Sequence, residues 1–535
     1  MEAWDFIIVG AGSAGCVLAD RLSRDPANRV LLLEAGDEDR SPYIHLPKGM
    51  GKLLTDPKHL HFFQARNAGT PQPETWVRGK VLGGSSSING MMYFRGQPED
   101  FDFWAEQAGP QWRWPEMQAA FRALEDHEQA GAADAEPSLG RGGPLHISTA
   151  APSRLGEALI KAGEQMGLPR RPEVTQTARE GVAYATRTIK NGRRQSTAQA
   201  FLRPARRRPN LRVETGATIG SVWFEDKRAV GVRGEKNGAH VEYKARREII
   251  LCAGALVSPA ILQRSGVGPA SLLRGFGIPV VVDRPAVGQN LLEHRLLMMQ
   301  YELLKPWSEN PQYKAPRLWW NALRYGLTRG GVLGAGGYQV AAFVCTGGGE
   351  TLPDSEILMA PYSLALTTQG QIATGEGHAV HLFGYPLRSR STGFMAITSA
   401  DPHAAVNIQA NYLTDPYDRE VTLRMLRYIR RWMQQPALAG IIGNETLPGV
   451  SLETDDDIIQ AFRTNGQAGY HACGTARMGK DPDSVLDGDL RVRGVDGLRV
   501  VDGSIMPSMV SANTNGPIIA TAWRAADIIL GAANR

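Results

Sequence analysis

The amino-acid sequence predicts a mixed α/β chain with a Rossmann-like domain. Three observations lead there. A short β-branched apolar run at residues 5–9 ends in glycine, a small-residue helical pattern follows from Ser13 to Ser23, and a second buried strand runs from Val30 to Leu33. The glycines between strand and helix are spaced Gly10-x-Gly12-x-x-Gly15. After a long middle stretch of different character, strand Leu498 to Val501 and a helix opening at Pro517 return to the first pattern, proline being well placed in a first helical turn.

Between these ends, residues 41–75 are dense in Pro, Gly and His without clear period and read as loop or lid. A Gly-Ser cluster occupies 83–90. From Leu211 short strands recur, Leu211 to Glu214, Val222 to Glu225 and Ala229 to Arg233, with a hairpin turn at Phe224, Glu225 and Asp226; buried Ile249 to Leu251 then leads into Gly254. Residues 297–460 combine aromatic-rich loops around Trp319 and Trp320, strand-like runs near 339–344 and 379–398, and an amphipathic helix from Asp418 to Gln434. This segment reads as a substrate domain, its aromatic residues Trp319, Trp320, Tyr338 and Tyr362 more in keeping with core than with pocket.

At 535 residues the chain has room for two or three domains, not necessarily consecutive in sequence. A net charge of +5 on 59 basic and 54 acidic residues is too slight for a nucleic-acid partner, and the runs Arg193–Arg194 and Arg206–Arg208, without interleaved aromatics, read as solvated surface. Four scattered cysteines offer no disulfide framework and no metal-ligand spacing. Glu2 and Asp5 replace a basic leader, and no run of 18 apolar residues occurs, so neither a signal peptide nor a transmembrane helix is expected. The expected location is cytoplasmic, with peripheral attachment to the inner face of a membrane left open.

The glycine spacing has a physical cause. Gly10 permits the turn, Gly12 lets a pyrophosphate approach amides at the positive end of a helix, and Gly15 allows close packing, with Ser13 and Ala14 opening the helix. Glu34, ending the second strand before Ala35, can accept both ribose hydroxyls and repels a 2′-phosphate. NADP is thereby disfavoured, while NAD and FAD stay open. Residues 79–93, Gly-Lys-Val-Leu-Gly-Gly-Ser-Ser-Ser-Ile-Asn-Gly-Met-Met-Tyr, place bare amides and short hydroxyls where they suit an isoalloxazine ring; taken alone, they also suit a flexible loop.

Together these segments resemble the glucose-methanol-choline (GMC) oxidoreductases. Residues 79–93 are similar to the family's first signature, Gly254 to Gly268 to its second, and Val287-Gly-Gln-Asn-Leu-Leu-Glu-His294 to its VGxNLxDH element, with Glu293 replacing aspartate. Tyr470 to Gly479, Val501 to Pro507 and Asn513-Thr-Asn515 resemble the catalytic end. The resemblance implies an FAD-binding domain of residues 1–150, 190–296 and 465–535, and a discontinuous substrate domain of 151–189 and 297–464 built on an antiparallel sheet. It implies His471 and Asn513 as the catalytic pair. Around the flavin it implies Val81, Gly84, Asn89, Gly90, Met91, Met92, Ile219, Ala253, Asp502, Gly503 and Thr514. Ile88 stands where some members carry a flavin-linking histidine, so FAD is expected to be non-covalent.

Neutral imidazole, with an ordinary pKa of about 6.5, is suited to draw a proton from an alcohol as hydride leaves. The expected reaction is oxidation of a primary alcohol to its aldehyde, with electrons passed to a quinone or other carrier. An oxidase that reduces oxygen and a lyase on the same scaffold are the alternatives. Asn513 either orients the substrate oxygen or caps the helix at Pro517, whose positive end would favour negative charge on the flavin. Gly469 either leaves space beside the flavin or eases a turn.

Overall fold

A computed structural model describes residues 2–70, 72–132, 138–174, 179–347, 349–366 and 372–533. Strand Ala3–Val9 lies in the middle of a parallel sheet, between Val30–Leu33 and the end of Ala239–Leu251. Leu211–Glu214 and Leu498–Val500 extend the parallel order at the two flanks. Ile7, Ile8, Leu31 and Leu32 are wholly buried because both sheet faces are covered, which is why these strands read as continuous apolar runs. Helix Ser13–Leu22 packs against this sheet and, on its other side, against helix Asn515–Ala533. The hairpin Ala217–Glu225 and Arg228–Lys236 turns at Asp226, in the left-handed region at φ 54°, and runs antiparallel to the first half of Ala239–Leu251.

The second sheet is antiparallel, in the order Ile442–Leu447, Arg295–Leu303, Ala379–Pro386, Ser355–Ala360, Val340–Val344, Gly181–Tyr184. Its side chains divide with period two. Met299, Ile357, Met359, Val380 and Leu382 pack with Met425, Ile429 and Trp432 of helix Pro416–Met433. Met298, Phe343, Leu358, Phe383 and Tyr385 point the other way, toward Met92, Phe94 and Ala512. Both faces are therefore covered, one by this helix and the other by Met92, Phe94 and Ala512.

Several expectations are corrected. Residues 41–75 hold short helices Pro42–His45 and Met50–Leu53 and the strand Leu60–Arg66, paired to Glu74–Gly79; this strand's side chains do not divide cleanly into polar and apolar faces, so no period marks it. Trp319 and Trp320 lie on helix Arg317–Thr328 and are exposed, 73% and 66%, belonging neither to core nor to loop. The C-terminal helix begins at Asn515, two residues ahead of Pro517. Arg194 is not solvated: it is 2% exposed.

Candidate active site

The first glycine turn is built as its spacing requires. Gly10 has φ 102°, and a Cβ there would sit 2.6 Å from the Cys252 carbonyl oxygen; one on Gly15 would lie 1.9 Å from the Gly10 oxygen. Gly12 differs. Its nearest such neighbour, the Cys252 oxygen, is 3.9 Å away, so that side is open, and no side chain caps helix Ser13–Leu22. Gly84 packs against Gly12, with a Cβ there reaching within 2.7 Å of the Gly12 Cα.

Glu34 is buried at the end of its strand. Ala11 N–H donates to Oε2 and Gly36 N–H to Oε1, both at 2.9 Å. Burial pushes its carboxyl up to about 7, against the pull of those amides and of Lys80. Ala35 follows, half-buried, and Val81 bridges to Asp37 beside it.

Arg194 braces the loop that carries Asn89, Gly90, Met91 and Met92. Its guanidinium donates to the carbonyl and Oδ1 of Asn89 at 2.7 Å each, to the Ser86 carbonyl at 3.3 Å, and to the Ile44 carbonyl at 2.9 Å. Asn89 Oδ1 also accepts from Met91 N–H, and Met91 adopts φ 65°. Tyr338 leans over Gly90, its Cε2 3.5 Å from where a Cβ would be.

On the opposite side, Asp502 Oδ2 accepts from Gly254 N–H and Ser258 Oγ–H, and Oδ1 from Ser504, tying the turn at Ala253 to that at Gly503. Burial raises its carboxyl above the usual range, opposed by these hydrogen bonds. Ser13 Oγ–H donates to Asn515 Oδ1 at 2.7 Å. The starts of the first and last helices are thus held together, with Thr514 buried at the junction. Ile219 is buried in strand Ala217–Glu225.

His471 and Asn513 meet, Asn513 Nδ2 lying 3.1 Å from His471 Nε2. Asn513 Oδ1, the atom that would cap a helix, accepts no hydrogen bond, so Asn513 is not a cap. The segment before His471 runs antiparallel to the Val287–His294 element: Gly469 N–H donates to the His294 carbonyl, Leu292 and Cys473 exchange hydrogen bonds, and His471 N–H donates to Glu293 Oε1 at 2.6 Å. Tyr470, at φ 61°, turns the chain into this position.

A second histidine completes the arrangement. His294 Nδ1 is 2.9 Å from His471 Nδ1, and His294 Nε2 is 2.9 Å from the Leu387 carbonyl oxygen. A carbonyl only accepts, so the hydrogen-bond network assigns the His294 proton to Nε2. His294 Nδ1 then accepts from His471 Nδ1–H, and the lone pair of His471 rests on Nε2, where Asn513 donates. Burial, then the neighbouring His294 and Arg78, hold His471 well below its ordinary 6.5. Burial takes His294 to about 4.

Sequence reading did not place Glu293, His294 or Arg194 in the site. The first two lay in the Val287–His294 element and the third in an apparent surface run, and only the fold brings them here. Gly469 has a further role beside the two expected. A Cβ there would lie 2.9 Å from His471 Nδ1 and 3.1 Å from His294 Cβ, so its bareness lets the two imidazoles meet.

The residues fit FAD. Gly12 is open to a pyrophosphate at two adjoining helix starts, Gly254 would carry a Cβ into empty space, and the buried Asn513 Oδ1 has no partner. Residues 4–296 match the N-terminal and 389–522 the C-terminal GMC oxidoreductase family. The chain is 39% identical over 549 residues to the oxygen-dependent choline dehydrogenase of Cronobacter sakazakii, covering 99% of this chain and 95% of that one. It is 38% identical over 550 residues to oxygen-dependent choline dehydrogenase 1 of Chromohalobacter salexigens, with the same coverage. Among solved structures it superposes on pyridoxine 4-oxidase from Mesorbium loti with TM-score 0.87 and 32% identity over 98% of both chains. The two-sheet architecture, the helix-start cradle and these matches agree: the chain belongs to the GMC oxidoreductase family of FAD-dependent flavoproteins.

Proposed function

We propose that this protein oxidises a primary alcohol to its aldehyde, with His471 as the base and electrons passed on to a quinone or other carrier. One observation carries the reading. The proton assignment running from the Leu387 carbonyl through His294 leaves an uncharged Nε2 lone pair beside an amide donor. An alcohol hydroxyl that displaces the Asn513 amide from His471 Nε2 would donate to that nitrogen and accept from Asn513 Nδ2, which aligns the oxygen and draws off its proton. Asn513 Oδ1 is free to take a second polar contact.

FAD supplies the two-electron acceptor for the hydride when bound. Gly10, Gly12, Ser13, Ala14, Gly15, Glu34 and Ala35 would hold its adenosine and pyrophosphate; Val81, Gly84, Asn89 to Met92, Ile219, Ala253, Asp502, Gly503 and Thr514 would hold the rest. Ile88 packs among Ile44, Leu53 and Val77 and offers no nucleophile at that position, which supports non-covalent attachment. The presence of two separate large sheets supports a division into an FAD domain and a discontinuous substrate domain, with the apolar row Met298, Phe343, Leu358 and Phe383 on the substrate side. That wall suits an alcohol with an apolar body.

The second reading, an oxidase, is favoured by the likeness to pyridoxine 4-oxidase. Anaerobic mixing of the yellow enzyme with a panel of primary alcohols tests the first: bleaching at the flavin band is expected, and failure with every alcohol would overturn it. Peroxide yield against quinone-analogue reduction with the same alcohol separates the two readings.

A further inference from the structure

Helix Arg317–Thr328 is built inside out. A surface helix normally buries its apolar stripe and shows its polar one. Here the buried side chains are Asn321, whose Nδ2 donates to the backbone and Oε1 of Gln312, and Tyr325, whose hydroxyl donates to the Gly192 carbonyl. Trp319, Trp320, Leu323 and Leu327 face outward at 73, 66, 54 and 77% exposure. At 100° per residue these four fall on one arc, with Arg324 and Arg317 together along one edge of it. No other helix of the described residues exposes four large apolar side chains.

Charge specifies the occupant. Between Glu309 and Glu350 the sequence contains no acidic residue, whereas Lys314, Arg317, Arg324 and Arg329 all lie on or beside this helix. Indoles and leucines on one face with arginines at its edge suit the boundary between headgroups and acyl chains, where indole is favoured and cations meet anionic lipid. A protein partner would need acidic groups matched to these four cations; an anionic bilayer supplies them everywhere. No helix of the described residues is long and apolar enough to cross a membrane, so contact would be parallel to the surface.

We propose that the exposed face of Arg317–Thr328 docks this protein on the surface of an anionic lipid bilayer. The stretch following the helix carries Tyr338, which leans over Gly90. The docking itself does not depend on the proposed reaction.

The test is co-sedimentation of the FAD-loaded protein with vesicles of phosphatidylcholine and phosphatidylglycerol in equal parts, with tryptophan emission followed alongside. Binding with a blue shift is expected, screened by salt and weaker on phosphatidylcholine alone. The triple variant W319S/W320S/L327S should bind at least about ten-fold more weakly. R317Q/R324Q should lose about five-fold per arginine. Both variants should keep their yellow FAD and melting temperature, so a loss reflects the surface. Absence of vesicle binding by the unaltered protein, or undiminished binding by the triple variant, overturns the proposal. So does light scattering that finds a dimer which the triple variant converts to monomer, since a second copy then covers the face.

Discussion

His294 presents Nδ1 to Nδ1 of His471 at 2.9 Å, and this pairing decides which nitrogen of His471 is left to act as a base. His294 touches no expected substrate atom and is a positioning residue. H294F should keep FAD but lower kcat about ten-fold or more, because either His471 nitrogen can then carry the proton. H294N, whose amide oxygen can still accept from Nδ1–H, should recover part of the loss. Equal defects in both variants would show packing alone.

The depressed pKa of His471 has a definite sign in the pH profile. A histidine held below 6.5 is uncharged throughout the neutral range and gains its proton only in more acid solution. Accordingly kcat/KM should be level near neutrality and fall as pH drops through a pKa below 6.5. An acid limb centred at or above 6.5 would contradict the burial argument. H471A should retain yellow FAD and lose about 10²- to 10⁴-fold in alcohol-dependent flavin reduction.

Gly469 supplies a test of the packing between the histidines. G469A sets a methyl 2.9 Å from His471 Nδ1 and 3.2 Å from the His294 carbonyl oxygen, so the imidazole must move. The expected result is a fall in kcat with flavin content unchanged. A gain in activity toward smaller alcohols, with kcat preserved, would return Gly469 to a role in pocket volume.

Glu34 bears on cofactor retention and not on chemistry. E34A removes the acceptor expected for the ribose and leaves the Ala11 and Gly36 amides unpaired. Purified E34A should carry less flavin than the unaltered chain and regain alcohol-dependent reduction when FAD is added in excess. Full occupancy after gel filtration would argue against the assignment.

Arg194 is predicted to matter for stability. R194M strands the carbonyls of Ile44, Ser86 and Asn89 without their donor in a buried setting. The cost should be about 2–4 kcal/mol, read from the urea midpoint, with loosened FAD in the residual folded protein. An unchanged midpoint would mean water replaces the guanidinium.

Local features were legible where chemistry repeats along the chain. Strand Val30–Leu33 emerges as an unbroken apolar run and helix Pro416–Met433 by its period, because burial marks residues close in sequence. The strand Leu60–Arg66 did not, since its pairing with Glu74–Gly79 is decided by backbone partners that leave no alternation behind. Nor did helix Arg317–Thr328, whose apolar side chains face outward and so misdirect any reading that equates tryptophan with core.

By itself the sequence determined the parallel sheet, the open glycine turn with Glu34 at its edge, and the presence of His471 and Asn513 near the end, because each depends on contiguous residues or on a recognisable motif. Only the tertiary structure decided that Glu293 holds the His471 backbone, that His294 selects its free nitrogen and that Arg194 braces the Asn89 loop. Those relationships join segments more than a hundred residues apart, and a hydrogen bond across such a distance leaves no trace in spacing or composition.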